Sequence, residues 1–256
     1  MTLPGVARTE AVAFILVLSR IGGIFFLAPV FSSRIIPARA KLIAALAISL
    51  ALTPIAEHGQ RISDDPIVIT QLLVKEIGIG LAFALALGTI TAAVQAAGSL
   101  IDTLAGFSFG AIIDPMSGVN AAVLSQLYSV FTALVLVLSG GDRLMIEALA
   151  RSYTLVPLGT MPQPGRLAGL ATNELSQLAL VGVELAAPVV VALVVADASF
   201  GLVARAVPQM NVFVVALPAK IILTFAIVAA SLPVLALHLQ DQLNASIQNG
   251  LAALVP

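Results

Sequence analysis

The sequence predicts an all-α polytopic membrane protein. Of its 256 residues, 60% are hydrophobic and only 10% are charged, which is typical of chains that cross a bilayer. The segment 77–101 contains no Asp, Glu, Lys or Arg. As a helix it would be roughly 37 Å long at about 1.5 Å per residue, which exceeds a hydrocarbon core of about 30 Å. Hydropathy alone therefore indicates an integral membrane protein.

Apolar blocks predict six to seven helices in order along the chain. The first block carries Arg20 near its middle and is too long for the apolar region of a signal peptide, so we interpret it as a retained helix. The sequence has no internal repeat and no low-complexity tract, and one membrane domain, 1–256, accounts for its length. The six strong blocks are 11–31, 42–56, 77–101, 121–138, 175–200 and 212–237, and a weaker amphipathic block lies near 143–157.

Small side chains form a ridge along the third predicted helix. They recur at four-residue spacing, which places them on one helix face where another backbone can approach closely. This ridge is compatible with packing inside one subunit or with tight packing between subunits. Its members are Gly80, Ala84, Gly88, Ala92 and Ala96.

Prolines interrupt the last two apolar blocks, at Pro188, Pro208, Pro218 and Pro233. A proline removes a backbone hydrogen bond from a helix and frees a carbonyl. These helices are therefore expected to kink. Broken helices are tolerated in membranes where protein or a water-filled cavity satisfies the backbone, so the last third of the chain is expected to pack against protein.

Four charged residues lie in or at the edge of apolar blocks: Arg20, Glu184, Asp197 and Lys220. Each would cost on the order of 3 kcal/mol if it faced lipid at the membrane centre. We therefore expect these residues to be buried charges that pair or line a wet interior, with Lys220 pairing with Glu184 or Asp197. The alternative is a set of structural ion pairs without a role in transport.

The sequence does not favour enzymatic chemistry. It has no GxxxxGK[ST] phosphate loop, no Cys, and only His58 and His238, which lack the spacing of a zinc motif. A net charge of -1 provides no basic surface for nucleic acid. We therefore predict a protein that is not an enzyme and binds no cofactor, metal or nucleic acid.

The connection 106–120 is glycine-rich and almost uncharged. Glycines give its backbone freedom to fit a narrow space, while its Phe, Ile and Met side chains can exclude water and ions. The alternative is a buried connection between two helices, which would have a similar composition. The candidate site residues in this loop are Gly106, Phe107, Phe109, Gly110, Ile112, Ile113, Asp114, Pro115 and Met116.

Four stretches together resemble the FliR-type export-gate subunit of flagellar and related type III secretion systems. They are KEIGIGLAF at 75–83, QAAGSLIDTLAGFSFGAIIDP at 95–115, GGDRLMIEALARSYTLVPLG at 140–159 and RAVPQMNVFVVALPAK at 205–220. The sequence departs from the family pattern at Gly141-Asp142, where many relatives have Gly-His, and at Pro218-Ala219-Lys220, where many have Pro-Leu-Lys.

The resemblance implies a subunit of the flagellar protein export channel in the bacterial inner membrane, at the flagellar basal body. It implies assembly with FliP-type and FliQ-type membrane subunits and with FlhB- and FlhA-type proteins, and contact with exported protein substrates. The helices would form bent hairpins in a helical assembly, and the loop 106–120 would be the channel plug. Alternatives are a subunit of a virulence-type secretion system, a passive scaffold, or a secondary transporter for a small solute.

Overall fold

The structure is a computed structural model that describes residues 4–27, 37–57, 65–108, 122–158, 160, 164–209 and 211–254. Every regular element in these ranges is an α-helix, which confirms the predicted fold class. The weak block near 143–157 also forms a helix. The helices are α1 (Pro4–Leu27), α2 (Ala38–Ala56), α3 (Pro66–Ala105), α4 (Val123–Leu138), α5 (Gly141–Leu155), α6 (Pro164–Ala206) and α7 (Val212–Leu254).

Several helices extend well beyond the apolar blocks that predicted them. Helix α7 continues past His238 through a polar segment to Leu254, and α6 starts at Pro164 instead of near residue 175. A hydropathy window detects burial in lipid and does not detect polar helical turns at the ends of a span, so the predicted bounds were too narrow. Proline is well suited to the first helical position, and α1, α3 and α6 each begin with one.

Within the described ranges, four helices, α2, α3, α6 and α7, are long and apolar enough to cross a membrane. A fifth span results if α4 and α5 form one bent span. Gly140 lies between α4 and α5 with a φ of 70°, in the left-handed region. Because this conformation is unfavourable for residues that have a Cβ, glycine suits the turn. These spans support the prediction of a polytopic membrane protein.

The prolines have different positions in the last two helices. Helix α6 continues through Pro188, and α7 continues through Pro218 and Pro233. Pro208 instead lies in the turn between the two helices. The prediction that Pro208 interrupts an apolar block is therefore wrong, because this proline separates two helices that end and begin on either side of it.

The chain divides into two compact units. The first consists of Met1–Ile90, Leu136–Ser176 and Asp241–Pro256, and the second of Thr91–Val135 and Gln177–Gln240. Helices α3, α4, α6 and α7 each contribute residues to both units. The interpretation of 1–256 as one functional domain remains a prediction.

Within the first unit, α1 and α3 approach each other closely at glycines. A Cβ at Gly80 would overlap the backbone carbonyl of Arg20, and one at Gly23 would lie 2.7 Å from the carbonyl carbon of Gly80. Gly80 and Ala84 of the predicted ridge are buried, while Ala96 is exposed. At Gly80 the small side chain therefore serves packing inside the chain.

We expect Gly80→Ala to lower the free energy of unfolding by about 1–3 kcal/mol, because the new methyl group forces α1 away from α3. Gly78→Ala is the matched control, since no atom lies within 4 Å of a Cβ at Gly78. The control should be neutral or stabilising by up to about 1 kcal/mol, as expected for Gly→Ala in a helix. Denaturant unfolding in detergent micelles measures the free energy of unfolding of both variants. Equal changes for Gly80→Ala and Gly78→Ala would contradict the close approach of α1 and α3 at Gly80.

Candidate functional site

The C-terminus of α3 is fixed where the connection 106–120 begins. Gly106 has a φ of 93°, and the amide of Phe107 donates to the carbonyl of Asp102 over 3.0 Å. This left-handed glycine with a six-to-one hydrogen bond is a Schellman motif, which ends a helix and satisfies its last carbonyls. The position at which the chain leaves α3 is therefore defined.

The Asp102 side chain also holds the N-terminus of α4. Its Oδ1 accepts a hydrogen bond from the amide of Leu124 at 2.8 Å, and its Oδ2 accepts one from the amide of Ser125 at 3.0 Å. These amides belong to the first turn of α4, where no carbonyl within the helix can accept from them. The carboxylate is buried, with 2% of the residue exposed. One residue thus fixes the chain on both sides of the connection.

We call this contact between α3 and α4 the loop neck, formed by Gln95, Gly98 and Asp102 of α3 and by Leu124 and Ser125 of α4. A Cβ at Gly98 would lie 2.5 Å from the Cα of Ser125, so the two backbones touch. The Ser125 hydroxyl donates to the carbonyl of Gln95 at 3.2 Å. Close packing and hydrogen bonds therefore hold the two helices together at this position.

Of the predicted loop residues, the structure describes Gly106 and Phe107. The Phe107 ring packs edge-on against Phe225 of α7, with 5.9 Å between the ring centroids. The role of the loop as a plug stays a prediction. The predicted residues Phe109, Gly110, Ile112, Ile113, Asp114, Pro115 and Met116 lie outside the described residues.

Arg20 is buried in the first unit, where it forms an ion pair with Glu76. The Nε atom of Arg20 lies 2.5 Å from Oε2 of Glu76, and Nζ of Lys75 lies 2.7 Å from Oε1 of the same carboxylate. Both side chains of the Arg20–Glu76 pair are almost fully buried. One carboxylate therefore balances two cations, which leaves hydrogen-bond donors that need other acceptors.

Those donors are directed at α5 and at the connection that follows it. Arg20 donates to the Ser152 hydroxyl at 3.1 Å and to the carbonyl of Val156 at 3.0 Å, and its guanidinium lies 4.2 Å from the centre of the Tyr153 ring. Lys75 donates to the carbonyl of Thr160 at 2.9 Å. The charge cluster therefore connects α1, α3, α5 and the start of the next connection.

The other predicted charges lie in the second unit. Lys220 is 2.8 Å from Oδ1 of Asp197, so of the two predicted partners the structure brings Asp197 to it. The Asp197 side chain is 51% exposed, and Glu184 lies on the surface of the chain. The expectation that Glu184 pairs or lines a wet interior remains a prediction.

Sequence reasoning missed three acidic residues that contact neighbouring elements. Glu76 directly precedes the charge-free segment 77–101, and Asp102 directly follows it. Glu174 is buried and accepts a hydrogen bond from Thr89 at 3.0 Å. The available signal is an acidic residue at the edge of an apolar block, as in all three cases. Asp102 also lies four residues before the helix-ending Gly106, and Glu76 directly follows a lysine. No cluster of three His, Asp or Glu that could hold a metal occurs in the part of the chain that the structure describes.

Comparisons with known proteins cover nearly the whole chain. The family model for bacterial export proteins, family 1, matches residues 11–246. The flagellar biosynthetic protein FliR of Bacillus subtilis is 29% identical over 239 residues, which is 92% of each chain. FliR of Caulobacter vibrioides is 31% identical over 231 residues, 89% of this chain and 91% of the relative. The surface presentation of antigens protein SpaR of Shigella flexneri is 30% identical over 211 residues, 82% of this chain and 80% of the relative.

We expect Asp102→Ala to lower the free energy of unfolding by about 2 kcal/mol, because two amides in the first turn of α4 lose their acceptor. The exposed Asp142, in the first turn of α5, provides a matched control. Asp142→Ala should cost about 0.5 kcal/mol, which is the size of a favourable charge at a helix N-terminus. Denaturant unfolding measures the difference. Equal losses would mean that the carboxylate of Asp102 does not hold α4 in place.

Proposed function

Because this chain belongs to the bacterial export proteins, family 1, we propose that it shapes and seals the pore through which flagellar proteins are secreted. It is a subunit of the flagellar type III export gate in the inner membrane, at the flagellar basal body. The observation that carries this conclusion is the match of one family model across residues 11–246. The apolar helices that could span a membrane agree with this location.

The chain is part of a multi-subunit secretion apparatus, and we propose that its direct partners are FliP-type, FliQ-type, FlhB-type and FlhA-type proteins together with the exported substrates. The exposed apolar surface supports close contact with other proteins and with lipid. Only 28% of the most apolar window of α6 and 17% of that of α7 are buried within the chain. A helix that is apolar on all sides requires a surrounding apolar environment.

We propose that the subunit performs no covalent chemistry and that the connection 106–120 closes the pore. The loop neck supports this role, because Asp102 and Gly106 fix where the chain leaves α3 and where it enters α4. A connection with fixed ends can occupy a defined position without binding strongly to the channel wall. Its apolar residues can exclude water and ions, as in a hydrophobic constriction.

A role in a virulence-type secretion system is the second candidate. The Shigella flexneri protein SpaR is 30% identical to this chain, a similarity comparable to that of the FliR relatives. The two candidates differ in the proteins whose secretion depends on the subunit.

Deletion of the gene should abolish motility and reduce secretion of flagellar filament and hook proteins at least about 100-fold, because an incomplete gate provides no passage. Immunoblots of culture supernatants measure secretion, and a plasmid copy of the gene provides the control by restoring it. Normal flagella in the deletion strain would contradict the flagellar function. Loss of injected effector proteins with intact motility would favour the virulence-type system.

Phe109→Cys should crosslink in cells to a cysteine on an export substrate that a folded fusion domain has stalled in the channel. The native chain has no Cys, so the introduced residue is its only thiol. Ile43→Cys is the control, because Ile43 is 67% exposed on α2 and is not part of the proposed plug. Adducts only with neighbouring membrane subunits would make the connection 106–120 a packing element and remove it from the transport path.

A further inference from the structure

A cavity of about 250 Å³ opens on the surface of the second unit, between α4, α6 and α7. Liquid water occupies about 30 Å³ per molecule, so the cavity has room for a long side chain. Part of its wall is apolar, with Leu185 and Pro188 from α6 and Leu235 from α7. Tyr128, Ser231 and His238 also line it. His238 has an interaction of its own, and the hydroxyl groups of Tyr128 and Ser231 are hydrogen-bonded to each other. These two hydroxyl groups therefore already have a partner.

Glu184 of α6 lies in the wall of this cavity and is exposed. Within the described residues, its carboxylate has no hydrogen bond and no ion pair. The backbone adds a second acceptor at the same place. Pro188 has no N–H group, so it cannot donate the hydrogen bond that the carbonyl of Glu184 would otherwise accept within the helix. The carbonyl of Glu184 therefore lacks its usual donor within the helix, and the carboxylate of the same residue lacks a donor among the described residues.

The position of Glu184 along its helix favours a protein donor over a lipid headgroup. The residue is close to the middle of the apolar span Ala168–Ala206. In a bilayer whose hydrocarbon core is about 30 Å thick, headgroups lie about 15 Å from the centre. A carboxylate facing hydrocarbon at this depth would cost on the order of 3 kcal/mol. A donor carried by a protein helix at the same depth avoids this cost.

We propose that the Glu184 cavity receives a lysine or arginine side chain from a membrane helix of a neighbouring subunit. A cation satisfies the carboxylate, and a side chain with several N–H donors can also reach the free carbonyl. The hydrocarbon stem of the same side chain lies against Leu185, Pro188 and Leu235, as long basic side chains do on apolar surfaces. The charged group of the incoming side chain thus pairs with the carboxylate, and its stem covers the apolar part of the wall.

The surface around the cavity fits a helix as the carrier of this side chain. Leu180 and Val191 lie on the same face of α6 as Glu184, at spacings of minus four and plus seven residues, and both are more than half exposed. Val234 on α7 lines the cavity and is 68% exposed. These residues form an apolar stripe with one carboxylate at its centre, which matches an apolar helix that carries one basic residue.

The inference rests on membership in a multi-subunit apparatus and is independent of the proposed plug. It is tested in cells that produce the whole apparatus, with Glu184→Gln and Glu184→Lys. After extraction with a mild detergent, native gels measure the fraction of the chain that migrates with the other membrane subunits. We expect Glu184→Lys to lower this fraction at least about tenfold and Glu184→Gln to lower it less. Both variants lose the carboxylate, but only the lysine also repels the basic side chain of the neighbouring subunit.

Glu147→Lys is the matched control. Glu147 is an exposed carboxylate on α5, and its ion pair with Arg151 lies on the surface. Exposed ion pairs contribute little to stability, so the Glu147→Lys variant should assemble nearly as well as the native chain does. Assembly of Glu184→Lys at the native level would overturn the proposal. A failed plug would instead give ion leakage with normal assembly, so the two proposals fail in different ways.

A second measurement identifies the occupant. A photoreactive residue in place of Val234 should crosslink to another membrane subunit in the native background and at least tenfold less in the Glu184→Lys background. In a selection for restored motility in that background, we expect substitutions that replace a lysine or arginine in a membrane helix of the crosslinked subunit. A crosslink to lipid only, no protein crosslink, or restoring substitutions confined to this chain would each overturn the proposal.

Discussion

The ion pair between Arg20 and Glu76 organises the first unit, because both charges are removed from water in a chain made mostly of apolar residues. A buried charge without a partner is far more costly than a buried pair with its hydrogen bonds satisfied. The donors of Arg20 reach α3, α5 and the carbonyl of Val156, so the arrangement of these elements meets the electrostatic requirement of one side chain. Gly80 permits this arrangement, since α3 can approach the backbone of Arg20 only where no side chain intervenes.

The need to give every buried polar group a partner also explains the loop neck. The first amides of α4 have no acceptor within their own helix, and a buried N–H group without an acceptor is costly. Asp102 supplies two acceptors from α3, while its own carbonyl ends α3 together with Gly106. A single residue thereby links the end of one helix to the start of the next. The connection that we propose as the plug thus has two fixed ends.

Glu184 is a charged residue for which the described part of this chain provides no ion-pair partner. Arg20 and Lys75 both form ion pairs with Glu76 within the first unit, and Asp197 forms one with Lys220 within the second. Glu184 differs, because it lies mid-span on an apolar and exposed helix face with no ion-pair partner among the described residues. In a protein that works as part of an apparatus, such a residue indicates where the surroundings complete the structure.

The sequence by itself determined the fold class, the order of the helices and the family. Apolar content and block length are properties of each segment by itself, and they set the free-energy cost of exposing that segment to water. They can therefore be evaluated from the sequence, one segment at a time. Only the tertiary structure decided which charges meet. Lys220 meets Asp197, Arg20 meets Glu76 and Asp102 meets the start of α4, and these pairs depend on the relative rotation and depth of helices far apart in sequence. Packing at glycines such as Gly80 and Gly98 fixes that rotation and depth, and no single block of sequence contains it.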